Sequence, residues 1–164
     1  MNFKDRRILV TGGAGFIGSE VTLQLIKLGA NVTVLDNFSS GKRKYLPKSN
    51  KLRIIKGDIR KKELVRRIIK DHEGVIHLAA LPFIPDSFFY PGEFFDVNTN
   101  GTVNMLWNAI KTKTVETFVH ISTSEVYGSA QFVPMDENHP TTPHSTYAVS
   151  KLAGDRAVFT LHKE

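Results

Sequence analysis

Between Arg7 and Gly18 the chain reads Arg-Ile-Leu-Val-Thr-Gly-Gly-Ala-Gly-Phe-Ile-Gly. The apolar run Ile8-Leu9-Val10 reads as a buried strand, and it stops at a glycine cluster. Gly12, Gly15 and Gly18 then recur every third residue, and a helical pattern follows directly. A strand, a tight glycine turn and a helix, in that order, aim a helix N-terminus at a phosphate. Gly12 lets the chain turn off the strand, Gly15 lets backbone approach a pyrophosphate, and Gly18 lets the helix pack close to the sheet. Glycine triplets alone are common. With the strand before and the helix after, this one points to a dinucleotide.

The rest of the chain fits that plan. Ile17, Val21, Leu25 and Leu28 repeat at helical spacing, and Gly29 is placed to end the helix. A second strand over 32–35 ends at Asp36, eighteen residues past Gly18. A carboxylate there accepts from the adenosine ribose 2′-OH and repels a 2′-phosphate, which favours NAD over NADP. Nearby Lys42 and Arg43 weaken that preference slightly, and the plainer alternative is an acid capping a turn. Residues 37–50, which include Asn37, read as a loop, and Leu52–Lys56 as a third strand. Asp58 caps the helix that carries Leu64, Val65, Ile68 and Ile69, reaches an adenine amino group, or does both. A fourth strand over 75–78 ends in Ala79-Ala80, whose small side chains leave room for a ligand.

Residues 81–92, rich in Pro and Phe, read as a loop, and a helix over about 93–112 follows. Asn98 and Thr102 lie one turn apart on that helix and read as solvated polar positions. A fifth strand over 118–121 opens into Ser122-Thr123-Ser124-Glu125, and a loop with Pro134, Pro140 and Pro143 leads to a last helix from about Ser145. Strands alternating with helices throughout imply an α/β fold, a Rossmann-like doubly wound parallel sheet.

Composition narrows the classes. With 164 residues and 41% hydrophobic content, the chain can bury one domain's core. It has no cysteine, which excludes disulfides and thiolate metal sites and suits the cytoplasm. The six histidines show no ligand spacing, so no metal is expected. No apolar run reaches membrane-spanning length and no export signal is visible, so no membrane association is expected. Residues 42–70 hold thirteen Lys and Arg against Asp58 and Glu63, almost without interleaved aromatics. That block reads as a solvated face rather than a nucleic-acid surface.

Two local arrangements carry chemistry. Tyr147 and Lys151 are four apart on a predicted helix and project from one face. A nearby ammonium favours the phenolate and makes the Tyr a usable acid or base, although such a pair alone more often marks surface packing. Ser122 to Glu125, at the end of the fifth strand, bring hydroxyls and a carboxylate toward the crevice of the cofactor turn. Thr123 and Glu125 alternate on an extended strand end and so point the same way. A nicotinamide cofactor, a hydroxyl, a Tyr and a Lys together make a hydride-transfer site.

These motifs resemble the extended short-chain dehydrogenase/reductases, specifically the NAD-dependent nucleotide-sugar epimerase/dehydratase family. The resemblance lies in Thr11-Gly12-Gly13-Ala14-Gly15-Phe16-Ile17-Gly18, Gly57-Asp58-Ile59-Arg60, His77-Leu78-Ala79-Ala80 and Val97-Asn98-Thr99-Asn100-Gly101-Thr102. It continues in Ser122-Thr123-Ser124-Glu125-Val126-Tyr127-Gly128 and Tyr147-Ala148-Val149-Ser150-Lys151, in family order across the chain. It implies a cofactor site at Gly12, Gly15, Phe16, Ile17, Gly18, Asp36, Asn37, Asp58, Ile59, Leu78, Ala79, Ala80 and Asn98, completed by Tyr147 and Lys151.

It also implies roles. Tyr147 takes the proton of a sugar C4 hydroxyl as hydride passes to NAD, and Thr123 bonds that oxygen. Lys151 binds the nicotinamide ribose and holds the Tyr pKa down. Glu125 matches the base that removes the C5 proton in 4,6-dehydratases, while Ser124 replaces the Asp usual in the dTDP-glucose type. Thr-Ser-Glu looks more like GDP-mannose dehydratases and UDP-glucuronate decarboxylases, and a UDP-sugar 4-epimerase such as UDP-glucose 4-epimerase also tolerates it. A 4,6-dehydratase is placed slightly ahead; a non-catalytic NAD-binding module is the alternative of another class. Residues 1–164 are expected to be the NAD-binding domain alone, inactive without a C-terminal substrate domain. A homodimer through the helices near 93–112 and 145–161 is expected.

Overall fold

Five short runs of aliphatic residues become five parallel strands in the computed structural model, which describes residues 2–162. They are β1 (Arg7–Thr11), β2 (Asn31–Asp36), β3 (Leu52–Lys56), β4 (Gly74–His77) and β5 (Thr117–His120), in the order β3-β2-β1-β4-β5. After the first residue, β1 and β2 are buried throughout, as expected of parallel strands covered on both faces. Leu9, Val10, Val34 and Leu35 form the centre of that layer. The chain runs outward from β1 through β2 to β3 and then crosses back to β4. The order therefore reverses between β1 and β4, and doubly wound sheets bind ligands beyond the carboxyl ends of the strands at such a switch point.

The chain divides into two compact units: residues up to Ala79 with Asn104–Ile121, and Ala80–Val103 with the residues from Ser122 on. The first holds the whole sheet, α1 (Phe16–Lys27) and α2 (Lys62–Ile69). The face of α1 differs from the simple spacing. Ile17 and Leu28 are exposed, and the buried positions are Gly18, Thr22 and Leu25. The helix is pressed so closely onto the glycine turn that only small residues fit its inner face there.

The second unit holds α3 (Ile84–Phe89), α4 (Pro91–Phe94) and α6 (Thr146–His162). Residues 81–92 are thus not a plain loop. Pro85 and Pro91 lie in the first turns of α3 and α4, where a missing N–H leaves no bond unmade. The helix expected over 93–112 is also not uniform, because a π-helical stretch, Phe95–Gly101, separates α4 from α5 (Thr102–Thr112). That wide turn carries Asn98 and Thr102 inward, and both are buried rather than solvated. No helix among the described residues is long and apolar enough to cross a membrane.

Candidate functional site

In the first unit the glycine turn is fixed by backbone contact. Gly12 has φ +67°, and a Cβ there would lie 2.8 Å from the Ala79 nitrogen. A Cβ on Gly18 would lie 2.1 Å from the Gly12 carbonyl oxygen, so this glycine packs against the turn itself rather than the sheet. Gly15 is the N-cap of α1 and makes no side-chain cap. The first N–H groups of the helix therefore have no side-chain acceptor, while Phe16 and Ile17 point into solvent. Leu78 and Ala79 follow β4 and are tied to Thr11. The Leu78 N–H donates to the Thr11 carbonyl (3.1 Å) and the Ala79 N–H to its hydroxyl (3.2 Å).

Asp36 ends β2 and is buried. One oxygen accepts from the Ala14 N–H (2.9 Å) and the other from the Phe38 N–H (2.8 Å). The carboxylate is thus locked against the glycine turn, with lone pairs left for a ribose hydroxyl. Ala14 is held from its other side as well, since its carbonyl accepts from the Lys42 N–H at 3.0 Å. Asn37 is exposed and folds back on its own loop, accepting from the Ser39 N–H and hydroxyl.

Asp58 departs from expectation. It does not cap α2, whose N-cap is Lys61 without a side-chain bond. Both of its oxygens are taken by Arg60, at 2.7 Å for the closest guanidinium nitrogen, with the Arg60 N–H at 2.9 Å. Those bonds hold the carboxyl below the usual Asp range against the opposing effect of burial. Ile59 beside it is buried, and its carbonyl accepts from the Asn104 amide at 2.6 Å.

In the second unit Tyr147 and Lys151 lie one turn apart on α6. Tyr147 is half-buried, packs edge-on against Phe94 at 6.4 Å, and its hydroxyl has no hydrogen-bond partner among the described residues. Lys151 is 4% exposed, and burial holds its ammonium below the ordinary lysine range despite the pull of Asp155. Asp155 in turn accepts from the Ser122 hydroxyl. Asn98 anchors the same helix. Its amide oxygen accepts from the Leu81 N–H (2.8 Å), and its NH₂ donates to the Leu81 carbonyl (3.2 Å) and the Ser150 hydroxyl (3.0 Å).

Thr123 keeps the extended backbone expected past β5, but Glu125 does not. Thr123 caps a 3₁₀ turn, Ser124–Tyr127, by accepting from the Glu125 N–H at 3.3 Å. The cap leaves the hydroxyl proton free to donate. The Glu125 carboxylate is exposed and has no partner among the described residues. Ala80, half-buried, opens this unit. Sequence reasoning passed over Ser150 and Asp155. Ser150, buried three residues after Tyr147, bonds both Asn98 and the Tyr147 carbonyl, and its place on the inner face of α6 was the available signal.

Comparison with known proteins covers nearly the whole chain. The family model described as GDP-mannose 4,6 dehydratase matches residues 9–164. A UDP-glucose 4-epimerase of Corynebacterium glutamicum is 35% identical over 93% of this chain and 45% of its own length. The UDP-N-acetylglucosamine 4-epimerase from Methanobrevibacter ruminantium M1, solved with UDP-N-acetylmuramic acid, superposes with a TM-score of 0.93 at 33% identity, over 98% of this chain and 52% of that one. The dTDP-glucose 4,6-dehydratase from Streptomyces venezuelae, solved with NAD and TYD bound, superposes with a TM-score of 0.91 at 36% identity, over 96% and 52%. The chain spans about half the length of these relatives.

Proposed function

We propose that this chain, which belongs to the NAD-dependent nucleotide-sugar epimerase/dehydratase family, is the NAD-binding part of an enzyme that oxidises the C4 hydroxyl of a nucleotide-linked sugar. The observation that carries it is a buried Lys151 one helical turn from a Tyr147 whose hydroxyl is unengaged. A module that only binds a dinucleotide has no use for that pair. In this reading Tyr147 takes the C4 hydroxyl proton, Thr123 donates to the same oxygen, and Lys151 binds the nicotinamide ribose. The bound cofactor supplies the hydride acceptor. The cradle at Gly12 and Gly18 and the fixed acceptor Asp36 suit a dinucleotide without a 2′-phosphate.

We place 4,6-dehydration ahead among the fates of the 4-keto sugar, because the Glu125 carboxylate is free to take the C5 proton that C4 oxidation makes acidic. A 4-epimerase is the second reading, supported by the relatives of that name. Exposed Trp107 and Ile110 on α5 and Phe159 on α6 support pairing of two copies through these helices; sedimentation showing monomer alone at high concentration removes that part.

The test uses the full-length protein with UDP-, GDP- and dTDP-hexoses in deuterated water. Tyr147→Phe should lose turnover, while Glu125→Gln should still form bound NADH but lose deuterium incorporation at C5. Wild type that yields only the C4 epimer hands the chain to the second reading. No NADH with any nucleotide sugar overturns the class.

A further inference from the structure

A cleft lies at the opposite ends of the strands from the glycine turn. It has a volume of about 260 Å³ and is lined by the first residues of β1 to β3 and by the turn between α2 and β4. The pairing of Arg7 with Asn31 and of Thr33 with Arg53, together with strand alternation, puts these four side chains on one sheet face. Thr33 is 6% exposed and its hydroxyl has no partner among the described residues. His72 is 3% exposed and donates from Nδ1 to the Ile68 carbonyl at 2.9 Å, which leaves Nε2 without a partner.

Charge selects the kind of ligand. Arg7 has Glu73 at 3.7 Å, and Lys51 is held by Asp5 and the Gly29 carbonyl. Arg53 has no ion-pair partner among the described residues, and the acid on the wall is Asp71. A cation would meet Arg53, and an apolar group would leave Thr33 and His72 unpaired. A protonated phosphate offers acceptor oxygens to Arg53 and Thr33 and a hydroxyl to the His72 Nε2, whereas a carboxylate offers acceptors alone. We propose that this cleft binds a phosphate group, with Arg53 as its charge partner, the Thr33 hydroxyl as a buried donor and the His72 Nε2 as the acceptor of the phosphate's own hydroxyl proton.

Burial holds the His72 imidazole below its ordinary range. The Ile68 carbonyl and Asp71 pull it up, and Arg53 and Arg7 push it down. A bound dianion would raise it, which gives the site a local reporter.

The experiment follows backbone amide and imidazole NMR signals of the whole chain at constant ionic strength, titrated with inorganic phosphate and separately with methyl phosphate. The expected result is a saturable shift centred on Thr33, Arg53 and His72, with the His72 titration midpoint moving to higher pH. Arg53→Gln, on an exposed side chain, should weaken binding roughly tenfold or more, and Arg53→Lys should restore part of it. Methyl phosphate binding as well as phosphate assigns an esterified ligand; phosphate alone assigns the free ion. A shift that does not saturate, that saturates only at the amides of Gly12 to Gly18, or that Arg53→Gln leaves unchanged overturns the proposal.

Discussion

Around Gly12 and Gly18 the decisive contacts are between backbones, whereas around Asn98 and Ser150 they are between side chains. In the first region a carbonyl oxygen and a strand end occupy the space where Cβ atoms would be. In the second, one buried amide satisfies the N–H and C=O of Leu81 and a hydroxyl on α6. A backbone-made region tolerates no substitution but is simple to specify, since absence of a side chain suffices. A side-chain network must be satisfied as a whole, and each member left without its partner is a buried polar group out of water.

The comparison breaks first at Gly18. Gly18→Ala places a methyl 2.1 Å from the Gly12 oxygen, where no side-chain rotation relieves it. Urea unfolding should show a loss of about 3 kcal/mol. A loss within a few tenths would mean that the turn yields and is not backbone-locked.

Asn98→Ala should cost roughly 2 kcal/mol, because the Leu81 N–H and the Ser150 hydroxyl lose a buried partner. Combining it with Ser150→Ala sharpens the point. A double-mutant cycle should show coupling of about 1 kcal/mol, and strict additivity would deny that the two form a network.

The smallest effect has the opposite sign. Burial depresses Lys151, so between its folded pKa and the ordinary 10.5 the unfolded chain binds more protons than the folded one. Stability should therefore rise with pH across that window. Lys151→Met should abolish the rise and stabilise the chain at pH 7 by on the order of 1 kcal/mol. If urea midpoints from pH 7 to 10 instead show the variant to be weaker, the ammonium contributes net stability where it sits.

The five strands were legible because each carries a short apolar stretch between turn residues, unbroken in β1 and interrupted by Thr33 in β2 and Arg53 in β3, and a sheet covered by helices demands that apolar content. The glycine turn was legible for the same reason: its cause is local. The side-chain network was not. Nothing in Asn98 or Thr102 announces burial, because a π turn differs from an α turn by one residue and carries no composition of its own. Glu125 was misplaced onto an extended strand end because Thr123 takes its N–H and winds the chain into a 3₁₀ turn. Asp58 looked like a helix cap until Arg60, two residues on, claimed both oxygens.

Ala14 has both of its backbone groups engaged, the N–H by Asp36 and the carbonyl by the Lys42 N–H. The glycine turn is therefore already immobile when a ligand arrives. Fixing a residue's backbone costs about 1–2 kcal/mol of entropy, and here that loss occurs at folding rather than at association. For binding at this turn the consequence is thermodynamic: little further ordering is needed, so the heat released by new hydrogen bonds is not cancelled by a newly frozen loop. Loosening the Lys42 strap would move that entropy loss into the binding step and show first as faster dissociation.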